Sequence, residues 1–276
     1  MDGSLNQIDR EVYAQILTYF YEGKINNCSN KGLNFNIKGS IYWIPIYEIN
    51  RASGGVYTIL RALNYGWVYN NNYWKKNIKF KHIHSEILGT FEDEEYKFID
   101  VKNKHVIDIG AYVGDTSIYF ISRGANTVYA IEPHPGAYEE LLENIKLNEF
   151  CHKITPLNMG IGANESYITI NIDTKQAPKA LFHNSKEDGV RVKVDTLTNI
   201  IEKYNIPTEV LKMDCEGCEY DIILKDYNSI SNFEQIAFEY HAYNTGISVN
   251  KLLDVLKHGY TCEFVNEEIY RKNNPN

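Results

Sequence analysis

Hydrophobic residues recur along this chain with two different periods, and the change from one to the other divides it. Leu5, Ile8, Val12, Ile16 and Tyr19 repeat at helical spacing behind a Ser4-x-x-Gln7 capping box, and the stripe stops at Gly23. Residues 24–80 are less regular, with Trp67, Trp74, a Gly54-Gly55 pair and many Tyr and Asn. The pattern predicts a mainly helical N-terminal cap over residues 1–80, which either covers the active-site face or forms a contact between copies of the chain. Over residues 81–276, short apolar runs alternate with amphipathic stretches. Strands are predicted at 104–109, 126–131, 153–158, 166–172, 190–194, 208–213, 234–240 and 260–265, with a last short one near 268–271. Helices are predicted at 115–123, 135–148, 196–204, 218–226 and 248–257. Tyr138, Leu141, Leu142 and Ile145 make one apolar helix face, and Val249, Leu252, Leu253 and Leu256 another. Gly124 and Gly259 stand where helix C-caps belong. Strands alternating with helices in this way predict an α/β domain with a doubly wound sheet. Asp173 to Gly189 is a long polar segment between two predicted strands, and a loop of that length in a compact domain is more often functional than idle.

At 276 residues the chain can bury a substantial core. Its formal net charge of −8 argues against a broad nucleic-acid footprint, which shows as a basic face. No apolar run approaches the length that spans a bilayer. The start, Met1-Asp2-Gly3-Ser4-Leu5, lacks the basic and apolar regions of a signal peptide, so a soluble cytoplasmic protein is expected. Cys28, Cys151, Cys215, Cys218 and Cys262 are scattered and odd in number, and read as free thiols. Cys215-x-x-Cys218 has redox-motif spacing, but packing thiols are expected there.

Candidate chemistry concentrates between Val106 and Asn148. Val106-Ile107-Asp108-Ile109-Gly110-Ala111-Tyr112-Val113-Gly114 leads a strand through a tight turn into a helix, and a second strand, Thr127 to Ile131, ends in Glu132-Pro133. Such a unit binds a nucleotide-like ligand at the carboxyl ends of its strands. The spacing Gly110-x-x-x-Gly114 is not the dinucleotide fingerprint, and Tyr112 stands where a middle glycine would admit a pyrophosphate. Asp108, just before the turn, would repel phosphate and suits an amino group. S-adenosylmethionine offers a sulfonium, an ammonium and a ribose diol without phosphate, and fits the pattern better than NAD. On this reading Asp108 accepts from the methionine ammonium directly or through water. Gly110 and Gly114 let backbone approach the ligand, and Glu132 accepts both ribose hydroxyls. Tyr112 either touches the ligand or packs outward as a turn residue. Asn158 and Met159 either line the adenine or belong to an ordinary turn about Gly160 and Gly162. Asp195 reads as a helix N-cap.

Farther along come Leu211-Lys212-Met213-Asp214-Cys215-Glu216-Gly217-Cys218-Glu219 and then Phe238-Glu239-Tyr240-His241. With Val106–Gly114 and Glu132-Pro133, they resemble the FkbM-type methyltransferase family, whose signature is Lys-x-Asp-x-Glu-Gly-x-Glu with a downstream Glu-x-His. The resemblance covers roughly residues 85–265. It implies a class I, Rossmann-like S-adenosylmethionine-dependent sandwich about a mixed sheet of about seven strands. It also implies methyl transfer, typically to a hydroxyl oxygen of a sugar or a natural-product scaffold. The expected partner is therefore a small-molecule or glycan hydroxyl acceptor. Asp214, Glu216, Glu219 and His241 are the candidates to organise it. The three acids repel one another unless Lys212, a metal ion or the bound sulfonium stands among them. His241, ending a central strand, is either structural or the base that takes the hydroxyl proton near neutral pH. A metal on Asp214, Glu216 and His241 is a further activator, but no compact ligand spacing supports it and none is expected. Where the family often carries Thr-Leu-Asp, this chain has Thr196-Leu197-Thr198, so no role is carried to that position. A tRNA methyltransferase would need a basic docking surface. A non-catalytic S-adenosylmethionine-binding protein would leave the intact Asp-x-Glu-Gly-x-Glu string without a purpose.

Overall fold

Leu33, Phe35 and Ile37 alternate with Asn34 and Asn36, and this period of two, rather than a helical one, organises the N-terminal region. The computed structural model describes residues 10–170 and 189–265. It divides into two units, the first built mainly from the chain up to Glu95 and the second mainly from Tyr96 onward. The first opens with α1 (Arg10–Tyr21), followed by the antiparallel meander β1 (Ile25–Ser29), β2 (Gly32–Ile37) and β3 (Ser40–Pro45). Then come α2 (Ile46–Arg51), α3 (Val56–Asn64), a second antiparallel sheet of β4 (Val68–Asn70), β5 (Tyr73–Lys75) and β6 (Lys79–Phe80), and α4 (Ser85–Phe91). The expectation of a mainly helical segment is therefore corrected: half of its regular structure is strand. Its turns carried the signal. Lys38-Gly39 joins β2 to β3 and Asn71-Asn72 joins β4 to β5, all four residues at positive φ, as a two-residue hairpin turn of the right twist requires. Trp67 and Trp74 are buried, with their indole N–H groups donating to Glu92 Oε1 at 2.7 Å and Glu48 Oε2 at 2.9 Å.

The second unit follows the alternation read from the sequence: β7 (His105–Ile109), α5 (Asp115–Ser122), β8 (Thr127–Ile131), α6 (Pro135–Leu147) and β9 (Ile154–Leu157). Next are β10 (Gly160–Ile161), β11 (Ser166–Ile170), β12 (Val190–Asp195), α7 (Leu197–Tyr204) and β13 (Val210–Met213). The chain continues through α8 (Cys218–Lys225), α9 (Tyr227–Ile230), β14 (Gln235–Phe238), α10 (Ala242–Thr245) and α11 (Val249–Leu256). Five parallel strands form the central sheet in the order β14-β13-β7-β8-β9. The order reverses between β7 and β13, and in open α/β sheets the ligand crevice lies outside the carboxyl ends at such a switch point. Every residue of β13 is buried, as a central parallel strand demands. Ile107, Ile109, Leu211 and Met213 join Ile200, Ile222, Ile223 and Leu252 in one core. Among the described residues no helix is long and apolar enough to cross a membrane.

Several expectations change here. The sheet has five strands rather than about seven, because β10, β11 and β12 pair in a small sheet of their own. Residues 260–265 form no strand; the Tyr260 hydroxyl instead donates to Ile230 O at 2.6 Å and Phe233 O at 3.0 Å. The N-cap of α7 is Thr196, whose hydroxyl accepts from Asn199 N, while Asp195 ends β12 and holds Lys193 at 2.6 Å. Gly259 is absent from the left-handed residues; a Cβ there would meet the Tyr227 hydroxyl at 2.5 Å, so close packing explains it. The Ser4 capping box, the strand near 268–271 and most of the 173–189 loop lie outside the described residues.

Candidate active site

Three features build the site, and the first, the β7–α5 turn, follows from its backbone. Gly110, Tyr112 and Gly114 all have positive φ, at 77°, 47° and 88°. At Gly110 a Cβ would stand 1.7 Å from the Asp214 carbonyl oxygen, and at Gly114 2.5 Å from Leu141 Cδ1. The glycines thus first make room for the end of β13 and for α6, so the close approach inferred from the sequence is made to the protein itself. Tyr112 takes the left-handed conformation despite its side chain. In that conformation its N–H donates to Glu132 Oε2 at 2.9 Å, and His134 N donates to Oε1 at 2.7 Å. Glu132 therefore ends β8 gripped by backbone at both oxygens. It is only 5% exposed. Burial pushes its carboxyl up to about 7, against the pull of those two N–H groups and of Lys212. Asn158 Nδ2 donates to the carbonyls of Glu132 at 2.9 Å and Pro133 at 3.3 Å, so its side chain supports the same turn, and Met159 packs partly buried against the core.

Asp108 lies fully buried and faces inward. Thr116 and Ser117 hydroxyls donate to its Oδ2 at 2.6 Å each, and Lys212, its register partner on β13, stands 3.0 Å from Oδ1. Asp108 Oδ2 thus takes both hydroxyls, while the buried Oδ1 faces the Lys212 ammonium as an ion pair without a hydrogen bond. Lys212 Nζ also donates to Gly110 O at 2.9 Å. Burial opposes its charge, but Asp108, Asp214 and Asp115 outweigh that and hold the ammonium above its usual proton affinity. Lys212 is therefore the cation that lets these acids coexist, and it fastens β7 to β13 at the switch point.

The third feature is the strand–turn–helix of Asp214 to Glu219. Asp214 follows β13, Glu216 and Gly217 turn at φ 57° and 123°, and Glu219 enters the first turn of α8. Glu219 is fully buried. Its Oε2 accepts from Gly217 N at 3.0 Å, and its Oε1 meets both the backbone N and the ring Nδ1 of His241 at 3.0 Å. Both oxygens of Glu219 are thus occupied within the protein, one by the Gly217 turn and one by His241. Nε2 of His241 points the other way, 3.7 Å from Asp214 Oδ1 and 3.8 Å from Glu216 Oε2. Tyr96 donates to Asp214 Oδ2 at 3.1 Å, and burial with the Asp214 charge holds that phenol well above its usual range, so it stays a donor. Glu216 Oε2 accepts from Tyr243 at 3.1 Å and Asn244 at 2.8 Å. Burial alone would lower the His241 imidazole, but Glu219, Asp214 and Glu216 together raise it to about 9. With these three carboxylates around it the imidazole holds its proton above neutral pH, which bears on its expected role as either a structural residue or a base. Cys215 and Cys218 are joined in a disulfide across this turn, which corrects the expectation of packing thiols; Cys28, Cys151 and Cys262 are free and exposed. Sequence reading left out Glu239, Tyr96, Thr116 and Ser117. Glu239 was within reach as part of the Glu-x-His string, whereas Tyr96 comes from far upstream with no motif around it.

These features define a doubly wound α/β protein with a cluster of acids at the carboxyl ends of its strands, beside the switch point. Residues 108–262, more than half of the chain, match the family described as the methyltransferase FkbM domain, and the chain belongs to that family. Over 151 residues it is 26% identical to the hexuronic acid methyltransferase AglP of Haloferax volcanii, across 54% of this chain and 61% of the relative. It also resembles the crystal structure of methyltransferase FkbM from Methylobacillus flagellatus, with a TM-score of 0.41 and 21% identity over 58% of this chain and 39% of that one. Trm5 of Methanocaldococcus jannaschii, in complex with adenosine, matches with a TM-score of 0.35 and 16% identity over 86% of this chain and 49% of that one. The chain spans less than two thirds of the length of each of these proteins.

Proposed function

We propose that the chain transfers a methyl group from S-adenosylmethionine to a hydroxyl oxygen of a saccharide or related small-molecule acceptor. The observation that carries this reading is the junction of two acidic stations. Glu132 and the Gly110–Gly114 turn form one, and Asp214, Glu216 and His241 form the other, joined where Gly110 packs on Asp214. Glu132 fits the donor: a buried carboxylate whose charge is disfavoured by burial gains from two hydroxyl donors, which a ribose diol supplies. Bound there, S-adenosylmethionine supplies a methyl group on a sulfonium. The turn backbone and Glu132 fix the ribose, and Asn158 steadies the loop beside it, with Met159 next to the adenine. At the other station Asp214 and Glu216 accept hydrogen bonds from acceptor hydroxyls, and His241 is aimed at the same point by Glu219. Displacement at a methyl carbon is in-line, so holding the two reactants in register is the chief contribution of the chain. Kinship with a hexuronic acid methyltransferase supports a sugar acceptor.

The test is to supply donor labelled in its methyl group together with hexuronic acid-containing glycans, neutral sugars and tRNA. Label is expected in an O-methyl sugar. Label confined to tRNA, or incorporated nowhere while S-adenosylhomocysteine binds, would overturn the reading.

A further inference from the structure

We infer that the carboxyl ends of β13 and β14 hold a divalent cation between Asp214, Glu239 and His241, with Glu219 as the residue that positions the imidazole. One donor atom from each of the three lies within 4.8 Å of the others. Bonds of about 2.1 Å put adjacent donors about 3.0–3.4 Å apart, so side-chain movements of about 1 Å or less would close the site. Two acids alone would say little. What points to a ligand is His241, which is 3% exposed and fixed through its backbone N and Nδ1 by the fully buried Glu219. Its Nε2 makes no hydrogen bond among the described residues and is aimed at carboxylates just beyond hydrogen-bond reach. A carboxylate on one ring nitrogen, with the other turned toward further carboxylates, is how proteins orient a metal-binding imidazole.

The partners of each acid select the ligand set. Tyr96 holds Asp214 Oδ2 and leaves Oδ1 toward His241. Tyr243 and Asn244 hold Glu216 Oε2, the oxygen nearest Nε2, so Glu216 is retained by the turn. Glu239 and His241 are two residues apart just after β14, a spacing that puts extended side chains on one side of the chain. One imidazole and two carboxylates suit Mn²⁺ or a similar first-row ion better than Ca²⁺, which prefers oxygen throughout. Three protein donors leave positions open for oxygen of an incoming molecule. On the methyl-transfer reading, on which this role of the ion rests, that oxygen is the acceptor hydroxyl. The ion would then acidify it, with its proton passing to solvent, and would replace His241 as activator.

The experiment uses the full chain stripped with chelator and titrated with Mn²⁺ alone, followed by electron paramagnetic resonance. One ion per chain is expected, with nitrogen coupling in the pulsed spectrum. That coupling should vanish in His241→Gln, and affinity should fall at least about tenfold in Glu239→Gln, at an exposed position. Glu219→Gln should weaken binding by about 10- to 100-fold and shift the nitrogen coupling, which loss of packing alone would not do. Absence of stoichiometric binding, or binding indifferent to Glu239→Gln and His241→Gln, overturns the site. Methyl transfer undiminished in a chain that binds no Mn²⁺ removes the ion and spares the proposed function. Mn²⁺ bound as expected, with no transfer to any acceptor, does the reverse.

Discussion

Affinity for S-adenosylhomocysteine should depend on pH through Glu132, and the structure gives both the sign and the size. In the ligand-free fold, burial moves this carboxyl from its ordinary 4.5 to about 7. The folded chain then holds a proton that the unfolded chain has released between those values. This contribution to stability is fully present below pH 4.5 and is lost as pH rises through 7, amounting to about 3 kcal/mol. A ribose diol donating to both oxygens favours the carboxylate and reverses the shift on binding. If the bound carboxyl returns to its ordinary value, affinity at about pH 5.5 is roughly 25-fold weaker than at about pH 8, and binding near pH 6 releases close to one proton. Calorimetry in two buffers of different ionisation enthalpy measures both quantities. His134, whose imidazole burial pushes below its usual value, is a second titratable group beside Glu132. Glu132→Gln separates the two, since it should bind more weakly and lose the Glu132 share of the pH dependence. Affinity that is flat from pH 5.5 to 8, or an unaltered pH profile in Glu132→Gln, would refute the ribose assignment.

The elements most legible in the sequence were those whose local pattern and tertiary role agree. β7, β8 and β13 are short apolar runs because both faces of a central parallel strand are buried, and α6, α7, α8 and α11 bury one face each, whereas α5 is buried nearly all round. The N-terminal unit was misread because its core positions are separated by Asn, Tyr and Lys, which dilute an alternation that Lys38-Gly39 and Asn71-Asn72 would have revealed as hairpins. In the site, the string Asp214-x-Glu216-Gly217-x-Glu219 was visible, but the division of labour within it was not. A strand–turn–helix sends Glu216 outward and Glu219 into the core, and spacing alone does not say which acid turns where. The direction of His241 was equally hidden, because it is set by Glu219 from another element. Asp108 looked like a ligand residue because its strand-end position is one. Its register opposite Lys212, a matter of sheet pairing, was not legible from that position.

The same geometry fixes the outcome of several substitutions. His241→Ala should lower turnover and leave S-adenosylhomocysteine affinity unchanged, with Asp214→Asn slowing turnover in the same direction, because both belong to the acceptor station; a matching loss of donor affinity in calorimetry would place both residues at the donor station instead. Gly110→Ala should cost more than about 3 kcal/mol in urea denaturation, because its Cβ would overlap the Asp214 carbonyl, whereas Gly124→Ala, with only Lys102 Cγ at 3.6 Å, should cost about 1 kcal/mol. The last case is the buried pair of Lys212 and Asp108. Lys212→Met leaves Asp108 charged, fully buried and without its cation, and removes the donor to Gly110 O, so a loss of about 3–5 kcal/mol is expected. Thr116 and Ser117 would still donate to Asp108, which bounds the damage from below complete unfolding. Adding Asp108→Asn removes the stranded charge, and the double variant should recover at least about half of that loss. Strictly additive losses would mean that the two side chains stabilise the fold separately, and the fastening of β7 to β13 would then rest on main-chain hydrogen bonds alone.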